Sequence, residues 1–324
     1  MKRRSFLQAG LCGCLALPGI EDMPTARAQR RSISRAPLLR RELGRTGEKL
    51  SVLGLGGMAL SEESPEMAAA VVREAIDHGI NYIDVAPSYG NAEELLGPAL
   101  KPYRDQVFLA CKTQSRDRQG VQEELDRSLL RLQTDRIDLY QFHAFTTVRE
   151  VEQALGWRGA LDAVTQAKEA GKIRFVGFSA HSEEAALRAM DLFDFDTVLF
   201  PVNFVCYFKS NFGPEVISRA RNLGLGVLAL KALARQPWPD ESLRRFWPKA
   251  WYQPVTAPEE ADLALRFTLS QPVTAAIPPG DIRLFRRALE IAHDFVPLQD
   301  GEMRRLRRLS EGLTPLFPLP EGRP

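Results

Sequence analysis

The sequence is poor in residues that bind metals or form disulfides, with four cysteines and four histidines among 324 residues. Two of these cysteines, Cys12 and Cys14, lie in the first apolar stretch, so only Cys111 and Cys206 remain beyond it. Since no Cys or His residues stand at ligand spacing, a metal site is not expected. We interpret Cys111, which lies in a strand-like run, and Cys206 as buried thiols rather than as a disulfide.

A large excess of charge of either sign is also missing. The chain has 43 basic and 41 acidic side chains, and removal of residues 1–28, as argued below, leaves 39 of each. Bulk attraction to nucleic acid is therefore not expected. The glycine and proline contents, 23 and 22 residues, exclude a collagen-like chain and a mostly disordered one.

The apolar run at the N-terminus is short. MKRRSFLQAGLCGCLALPGI has a basic start and then about fifteen mostly apolar residues, and an Ala-x-Ala site ends at Ala28. Such a run is too short to span a bilayer and is typical of an export signal. Arg3 and Arg4 before Ser-Phe-Leu favour the twin-arginine route, so we predict cleavage after Ala28 and a periplasmic or otherwise exported protein. A lipid anchor at Cys14 and an uncleaved tail stay open as alternatives.

From residue 40 onward, strand-like apolar runs alternate strictly with helix-like segments. The eight runs are Val52–Gly56, Tyr82–Asp84, Val107–Lys112, Ile137–His143, Phe175–Ser179, Thr197–Phe200, Gly226–Leu230 and Ala275–Ile277. The eight segments are Glu66–His78, Ala92–Lys101, Val121–Leu132, Ala160–Ala170, Glu183–Asp191, Pro214–Leu223, Pro258–Leu269 and Arg283–His293. Alternation calls for parallel strands covered by helices, and a count of eight favours an α/β fold of the (β/α)8 TIM barrel type.

Two segments fall outside this eightfold pattern. Arg41–Ser51 has a Thr-Gly turn between short extended runs and predicts an N-terminal hairpin. The stretch EMRRLRRLSEGL predicts an extra C-terminal helix that docks through one apolar stripe, formed by Met303, Leu306 and Leu309. We divide the chain into an export signal (1–28), a flexible linker (29–38), one barrel domain (39–316) and a disordered tail (317–324).

Ionisable residues end or follow three consecutive predicted strands: Asp84 and Tyr89 the second, Lys112 the third and His143 the fourth. Each of them alone is more often a structural residue, but the C-terminal strand ends of such a barrel carry the active site. A tyrosine with a pKa of about 10 is a poor acid near neutrality, and a nearby ammonium lowers that pKa. We therefore predict that Tyr89 is the general acid and that Lys112, held in place by Asp84, lowers its pKa. Neutral His143 would position the carbonyl oxygen beside the phenol.

These residues lie in INYIDVAPSYGNAEELLG, VFLACKTQ, LDRSLLRLQTDRIDLYQFH and GKIRFVGFSAHS. In order and spacing the four stretches resemble successive stretches of the aldo-keto reductases. RELGRTGEKLSVLGLGGMAL and ARNLGLGVLALKAL resemble that family's opening hairpin with first strand and its seventh strand, so the resemblance covers roughly residues 39–293. It implies a (β/α)8 barrel with NADPH across its mouth, which reduces an aldehyde or ketone. The family's catalytic tetrad falls on Asp84, Tyr89, Lys112 and His143.

The resemblance also implies positions for the cofactor. Gly57 and Met58 would lie beside the nicotinamide ribose, although a plain tight turn explains LGLGGMAL equally well. Ser179 and Asn203 are retained from the family's pattern on the cofactor side. Lys231, after the seventh strand, would meet the pyrophosphate or else be a solvated loop lysine.

Other cofactor positions depart from the family. After Ser179 the sequence continues Ala-His where the family usually has asparagine for the carboxamide, and Leu199 replaces a glutamine. Phe285 stands where many members place an arginine for the 2′-phosphate, and the nearby Arg283 and Arg286 are the remaining candidates for that role. We predict NADP(H) as cofactor, with NAD(H) as the alternative, and a weaker preference for NADPH than the family resemblance suggests.

The leading hypothesis is an NAD(P)H-dependent carbonyl reductase. The eroded cofactor positions favour an alternative, a catalytically weak protein that binds or senses nicotinamide nucleotides on the same barrel. A hydrolase with paired carboxylates is disfavoured, since Asp84 has no acidic partner on adjoining strand ends. The expected partner is a small carbonyl substrate, with no nucleic acid and no membrane span, and we predict a monomer. In the loop 232–257, four aromatic residues line an apolar pocket or pack on the rim: Trp238, Trp247, Trp251 and Tyr252.

Overall fold

The computed structural model describes residues 37–156 and 159–318, and an eight-stranded parallel sheet lies at its centre. Its strands, β3 to β9 and β12, follow one another in chain order as neighbours in the sheet, apart from the short hairpin β10–β11. A parallel bridge between Leu53 and Ala276 joins the first strand to the last and closes the barrel. The strands are β1 (Arg40–Glu42), β2 (Lys49–Ser51), β3 (Leu55–Gly56), β4 (Tyr82–Asp84), β5 (Phe108–Thr113), β6 (Ile137–Phe145), β7 (Ile173–Ala180), β8 (Thr197–Pro201), β9 (Gly226–Leu230), β10 (Ala234–Gln236), β11 (Gln253–Pro254) and β12 (Ala275–Ile277).

Helices follow the barrel strands and cover them. They are α1 (Pro65–Asp77), α2 (Ala92–Leu100), α3 (Arg118–Arg131), α4 (Val148–Leu155), α5 (Leu161–Glu169), α6 (Glu183–Leu192), α7 (Phe204–Ser210), α8 (Pro214–Asn222), α9 (Pro258–Ser270), α10 (Ile282–His293) and α11 (Asp300–Glu311). The eight predicted helices correspond to α1–α3, α5, α6 and α8–α10, with ends that differ by at most three residues. The predicted α/β fold, a (β/α)8 TIM barrel with an N-terminal hairpin and an extra C-terminal helix, is confirmed.

Two short helices were missed in the sequence. Helix α4 begins at a capping box in which Thr147 accepts from the Glu150 backbone and Glu150 accepts from the Thr147 backbone. Helix α7 begins at Asn203, whose side chain accepts a hydrogen bond from the Cys206 backbone. Both start signals are readable in the sequence, but each helix is only two turns long and lies inside a loop of the eightfold pattern.

Side chains along each barrel strand alternate between two cores. On β5, Phe108 and Ala110 belong to the core inside the barrel, whereas Leu109 and Cys111 belong to the outer core, between barrel and helices. This alternation follows from the two-residue period of a strand. Cys111 and Cys206 are buried and free, as predicted, and burial raises the pKa of both thiols.

The hairpin β1–β2 closes the N-terminal end of the barrel. Leu43 and Leu50 are fully buried in the inner core, and the Arg45 backbone donates to the Gly224 carbonyl, 2.9 Å away, just before β9. Gly44 has a φ of +53°, and a Cβ there would lie 2.3 Å from the Gly226 nitrogen. Because one end of the barrel is filled in this way, the site must form at the other end.

Helix α11 docks less symmetrically than its apolar stripe predicted. Leu306 is fully buried and Met303 packs against the outer core, but Leu309 is 36% exposed. Arg266 of α9 pairs with Glu302 of α11 at 2.7 Å, so an ion pair supports the docking. After α11, the ring of Phe317, assigned to the tail from the sequence, stacks on Phe212 at 4.9 Å.

The predicted export signal (residues 1–28) and most of the linker lie outside the described residues, as does the tail from residue 319. The domain boundaries therefore stay predictions. Across residues 37–156 and 159–318, no helix is both long enough and apolar enough to cross a membrane. The same residues contain no group of three His, Cys, Asp or Glu side chains that could hold a metal ion.

Candidate active site

A cavity of about 230 Å³ opens at the C-terminal ends of the barrel strands. Seven of the predicted site residues line it: Met58, Asp84, Tyr89, Lys112, His143, Ser179 and Lys231. The other four, Gly57, Asn203, Arg283 and Arg286, are not among the residues that line this cavity. The barrel thus brings together the four residues predicted for proton transfer, while separating some of those predicted for the cofactor.

Asp84, the last residue of β4, is surrounded by hydrogen-bond donors. Its Oδ1 pairs with the Nζ of Lys112, and its Oδ2 accepts from Gln141 Nε2 at 3.0 Å and from the Tyr82 hydroxyl at 3.2 Å. Only 3% of the Asp84 side chain and 1% of the Lys112 side chain are exposed. A buried carboxylate is stable only when charged and polar partners replace its water, and here three side chains do so.

Lys112 lies between this carboxylate and Tyr89. Its Nζ also donates to the Val85 carbonyl at 3.1 Å and lies 5.0 Å from the centroid of the Tyr89 ring. Burial lowers the pKa of Lys112, but Asp84, Tyr89 and Cys111 together more than offset this, so the pKa lies above its ordinary value. Lys112 therefore stays charged beside the phenol throughout the neutral pH range.

The direction of the Tyr89 pKa differs from the sequence-based prediction. Burial raises the pKa of Tyr89, and the nearby charge of Lys112 lowers it by less, so the net pKa lies above the ordinary value. The sequence indicates the nearby ammonium, but not the desolvation of a phenol buried among the barrel's other side chains. Tyr89 therefore carries its proton at neutral pH, with a fixed positive charge beside it to stabilise the phenolate once that proton leaves.

His143 completes the set on the neighbouring strand, β6. Its ring meets the Tyr89 ring edge to face, with centroids 5.9 Å apart, and its Nδ1 lies 3.5 Å from the Ser88 hydroxyl. Burial, followed by the charge of Lys112 and other nearby cationic groups, lowers the pKa of His143 to about 2. The imidazole is therefore neutral at physiological pH and can donate or accept one hydrogen bond without carrying charge.

Ser179 and His181 lie on the next strand and its following loop. The Ser179 hydroxyl accepts a hydrogen bond from the Ala144 backbone at 2.7 Å, which leaves its own proton free to donate. Ala144 has a left-handed φ of +58° directly after His143. His181 stacks on Phe317 at 5.6 Å, and burial together with the charge of Lys231 lowers its pKa to about 4.

Lys231 lies on the opposite wall, in the loop after β9. Its Nζ lies 5.0 Å from the centroid of the Trp251 ring and 5.2 Å from that of Tyr252. Burial and the charge of Lys112 lower the pKa of Lys231 to about 8. Of the four loop aromatics, Trp251 and Tyr252 line the cavity. Trp238 and Trp247 are not in its wall: the Trp238 indole donates to the Ala250 carbonyl at 3.0 Å, and Trp247 packs under Arg283 at 3.9 Å.

The arginines considered for the 2′-phosphate are held by carboxylates. Arg283 donates twice to Asp281, at 3.0 and 2.8 Å, and Arg286 pairs with Glu74 of α1 at 2.8 Å. Phe285 is 1% exposed and packs in the outer core, as an apolar residue on the inner face of a helix should. A carboxylate thus takes up part of the hydrogen-bonding capacity of each guanidinium, while 61% of the Arg283 side chain and 49% of the Arg286 side chain are exposed.

Gly57 and Asn203 have local structural explanations. A Cβ at Gly57 would come within 2.7 Å of the Val85 side chain, so close packing requires glycine there. Asn203 is 1% exposed, and its Oδ1 accepts from the Cys206 nitrogen at 3.0 Å as the cap of α7. Their predicted roles beside a cofactor stay predictions.

Two supporting residues and one lysine were overlooked in the sequence. Tyr82 and Gln141 both donate to Asp84, and each stands two positions before a predicted site residue on the same strand. The two-residue period of a strand therefore offered a signal for both. Lys249, which lines the cavity from the loop after β10, had no such signal because its loop shows no regular pattern.

Comparison with known proteins places the chain in a family. A model described as the Aldo/keto reductase family matches residues 52–244, more than half of the chain. Aldo-keto reductase YhdN of Bacillus subtilis is 32% identical over 209 residues, which cover 59% of this chain and 60% of YhdN. Another B. subtilis protein, the uncharacterized oxidoreductase YqkF, is 34% identical over 155 residues, 44% of this chain and 48% of YqkF. The chain thus spans about half to three fifths of the length of these curated relatives.

A solved structure resembles the fold over a greater length. The holo form of aldo-keto reductase AKR11C1 from Bacillus halodurans superposes with a TM-score of 0.67 at 22% sequence identity. The match covers 86% of this chain and 98% of that one. At this identity the likeness concerns the fold alone.

Proposed function

The chain belongs to the aldo/keto reductase family, and from that premise we propose that it reduces an aldehyde or ketone to an alcohol with NADPH or NADH. The observation that carries the proposal is the contact of Lys112 with both Asp84 and the Tyr89 ring inside the cavity that His143 lines. A protonated phenol beside a fixed ammonium is suited to donate a proton to a developing alkoxide.

Each residue of the candidate site would have one role in the reduction. A bound nicotinamide supplies the hydride. Tyr89 donates its hydroxyl proton to the carbonyl oxygen, and the ammonium of Lys112 stabilises the phenolate that remains. Asp84 keeps Lys112 in place, since its own position is fixed by Gln141 and Tyr82. Neutral His143 orients the carbonyl oxygen toward the phenol through one hydrogen bond.

The residues around the cavity fit part of such a cofactor. The free hydroxyl proton of Ser179 suits an amide oxygen, and the apolar wall suits an uncharged ring; it is formed by Met58, Leu199, Leu230 and Ile277. At about 230 Å³ the cavity is smaller than the ~300–1,000 Å³ usual for ligand pockets. It therefore suits the reacting ends of cofactor and substrate, and the remainder of a dinucleotide would lie along the rim.

The test is turnover by the purified protein. NADPH or NADH is mixed with benzaldehyde and a set of aliphatic aldehydes and ketones, and loss of the reduced cofactor's absorbance is followed. We expect cofactor oxidation that requires the carbonyl compound, with the matching alcohol as product. Absence of turnover with every carbonyl compound, in protein that binds the cofactor, would contradict a reductase.

The residues expected to contact the cofactor support a second function. Arg283 and Arg286 are engaged by carboxylates, and Leu199 offers no hydrogen bond to a carboxamide. A barrel that binds a nicotinamide nucleotide but turns over slowly, as a binding or sensing protein, would have these features. Fluorescence titration shows binding and the turnover assay shows rate, so the pair of measurements separates the two functions.

We also propose that the protein acts outside the cytoplasm, on the strength of Arg3, Arg4 and the Ala-x-Ala site ending at Ala28. Replacing both arginines by lysine should retain the protein in the cytoplasm, as fractionation of cells would reveal. Normal export of that variant would point to another route, and a lipid-modified N-terminus at Cys14 would establish the lipoprotein alternative.

A further inference from the structure

We propose that Lys231 binds an anionic group of the substrate, so that the preferred substrate is a carbonyl compound that also carries a carboxylate. The inference rests on the proposed function and deepens it by naming a substrate class. The cavity wall holds an ammonium without a counter-ion, opposite the groups assigned to proton transfer.

The position of Lys231 is defined by its neighbours. Its ammonium lies over the rings of Trp251 and Tyr252, and all three residues line the cavity with Tyr89 and His143. Aromatic faces attract a cation but leave its three N–H donors unsatisfied. The two rings therefore hold the ammonium in place without neutralising it.

The other cations of the cavity wall are compensated. Lys112 is paired with Asp84, and Lys249 pairs with Glu63 at 2.7 Å and donates to the Ala59 carbonyl at 3.0 Å. Within residues 37–156 and 159–318, the ammonium of Lys231 has neither a hydrogen bond nor an ion pair. Since His143 and His181 are both neutral at physiological pH, the cavity keeps one net positive charge.

The backbone at Lys231 is also unusual. Its φ of +68° lies in the left-handed region, which residues other than glycine, asparagine and aspartate adopt rarely. The Ala234 nitrogen donates to the Lys231 carbonyl at 2.8 Å and closes the turn. Backbone strain of this kind is concentrated at functional positions. Here the strained residue is the one whose unpaired ammonium lies at the cavity.

Two sources of anion are compatible with this chemistry, a carboxylate of the substrate and a phosphate of the cofactor. The loop after the seventh barrel strand is a common place for phosphate in TIM barrels. Lys231, however, lines the same cavity as Tyr89, the proton donor, and His143, the carbonyl-orienting group. This proximity favours the substrate, and the experiment below separates the two sources.

The test compares two aldehydes that differ by one charge, 4-carboxybenzaldehyde and benzaldehyde. In Lys231→Met the ratio of their kcat/KM values, carboxylated over neutral, should fall by about 10- to 100-fold, the worth of a charged hydrogen bond. Lys231→Arg should retain the ratio within about threefold. Lys249→Met is the matched control, because it removes a paired cation of the same wall, and should change the ratio by no more than about twofold.

An unchanged ratio in Lys231→Met would overturn the proposal. If, in addition, the Kd values for both NADPH and NADH rise by about tenfold or more in that variant, the anion bound by Lys231 is a phosphate of the cofactor. Fluorescence titration with each nucleotide supplies those constants.

The pH dependence gives a further check. The ammonium of Lys231 loses its proton as pH rises through about 8, so the advantage of the carboxylated aldehyde should shrink above that pH. A bound carboxylate would move the loss to higher pH, never to lower. The other titratable groups that line the cavity are Asp84, Tyr89, Lys112, His143, His181, Lys249 and Tyr252. Lys231→Arg should keep the advantage through pH 9, because a guanidinium stays protonated there; parallel decay in both proteins would contradict the assignment.

A binding measurement tests the anion site without depending on turnover. Binding of benzoate is measured by calorimetry, with and without NADP⁺, in wild type and in Lys231→Met. If wild type binds benzoate and the variant binds it about tenfold more weakly, the anion site stands even where the protein reduces neither aldehyde and the proposed reductase activity fails. If wild type binds no benzoate under either condition, the anion site fails while the reductase assay still judges the proposed function.

Discussion

The two ends of the barrel each contain a buried carboxylate, and the two are held in different ways. Asp84 lies at the C-terminal end and Asp138 near the start of β6, with 3% and 4% of their side chains exposed. Asp138 pairs with Arg104 at 3.0 Å and with Arg174 at 2.8 Å, and accepts from the Leu109 backbone at 2.9 Å. Asp84 is held by one lysine and two neutral donors.

The difference shows that a buried ion pair does not by itself make a site. Around Asp138 the arginines are always charged and tie the carboxylate to neighbouring backbone, since Arg104 also donates to the carbonyls of Val107 and Arg136. At Asp84 the cation faces a cavity and a tyrosine on its other side. A buried aspartate paired with a cation therefore stabilises the fold at one end, where the cation is arginine, and lies beside a proton donor at the other, where it is lysine.

The largest expected effect at the cavity end is that of Tyr89→Phe. Removing the phenol should lower kcat for carbonyl reduction by about 10²–10⁴-fold, the usual worth of general acid catalysis. Cofactor Kd should stay within about threefold, because Tyr89 has no assigned contact with the cofactor. Steady-state kinetics and fluorescence titration measure the two; retention of more than about a tenth of kcat would remove Tyr89 from the role.

Lys112→Met should affect both activity and stability. It leaves the carboxylate of Asp84 buried without a cation, which costs about 3–5 kcal/mol of unfolding free energy, and it removes the charge beside Tyr89. Denaturant unfolding and turnover measure the two losses. In the double variant Lys112→Met/Asp84→Asn much of the stability should return, because no charge is left unpaired, while turnover stays low; joint recovery of both would mean that Lys112 acts only on the fold.

Asp138→Asn provides the matched change at the other end of the barrel. We expect a loss of about 1–2 kcal/mol in unfolding free energy, less than for a fully buried pair because Arg174 is 43% exposed. The kcat of the folded protein should be that of wild type, since Asp138 lies near the start of β6 and its partners Leu109, Arg104 and Arg174 are not among the residues that line the cavity. A fall in kcat without a fall in stability would show that the two ends are coupled.

The pH dependence of kcat should distinguish a neutral His143 from a titrating one. The lowered pKa of His143, about 2, keeps it uncharged above that pH, and the raised pKa of Tyr89 keeps it protonated until pH exceeds its ordinary value. The kcat for reduction of a neutral aldehyde should therefore be flat from about pH 5 to about pH 9 and fall only above about pH 10. A sigmoidal change centred near pH 6–7 would instead indicate a charged histidine.

The smallest expected effect is on cofactor choice. Because Arg283 and Arg286 are held by Asp281 and Glu74, wild type should prefer NADPH over NADH by no more than about tenfold. Arg286→Ala should change that preference by less than about twofold, as titration with both nucleotides would measure. A thousandfold preference that Arg286→Ala or Arg283→Ala abolishes would show that one of these ion pairs opens to admit the 2′-phosphate.

Much of the fold and of the candidate site could be read from local pattern. Eight alternating apolar runs predicted the barrel because a parallel strand buried on both faces needs such a run, and β4, β9 and β12 have the predicted ends. Asp84, Lys112 and His143 could be assigned to one end of the barrel because strand direction decides which end each residue reaches. Short helices such as α7 were missed, since seven residues provide too little periodicity to recognise.

The sequence by itself determined the order of strands and helices and the identity of the residues at the strand ends, because both follow from local periodicity and strand direction. Only the tertiary structure decided how those residues are solvated and paired. Burial, a property of the closed barrel, raises the pKa of Tyr89 where local reasoning predicted a lower one. Contacts between distant segments pair Arg286 with Glu74, 212 positions away, and leave Lys231 unpaired over Trp251. Such pairings depend on where side chains point in the folded protein, and the spacing of residues along the sequence does not contain that information.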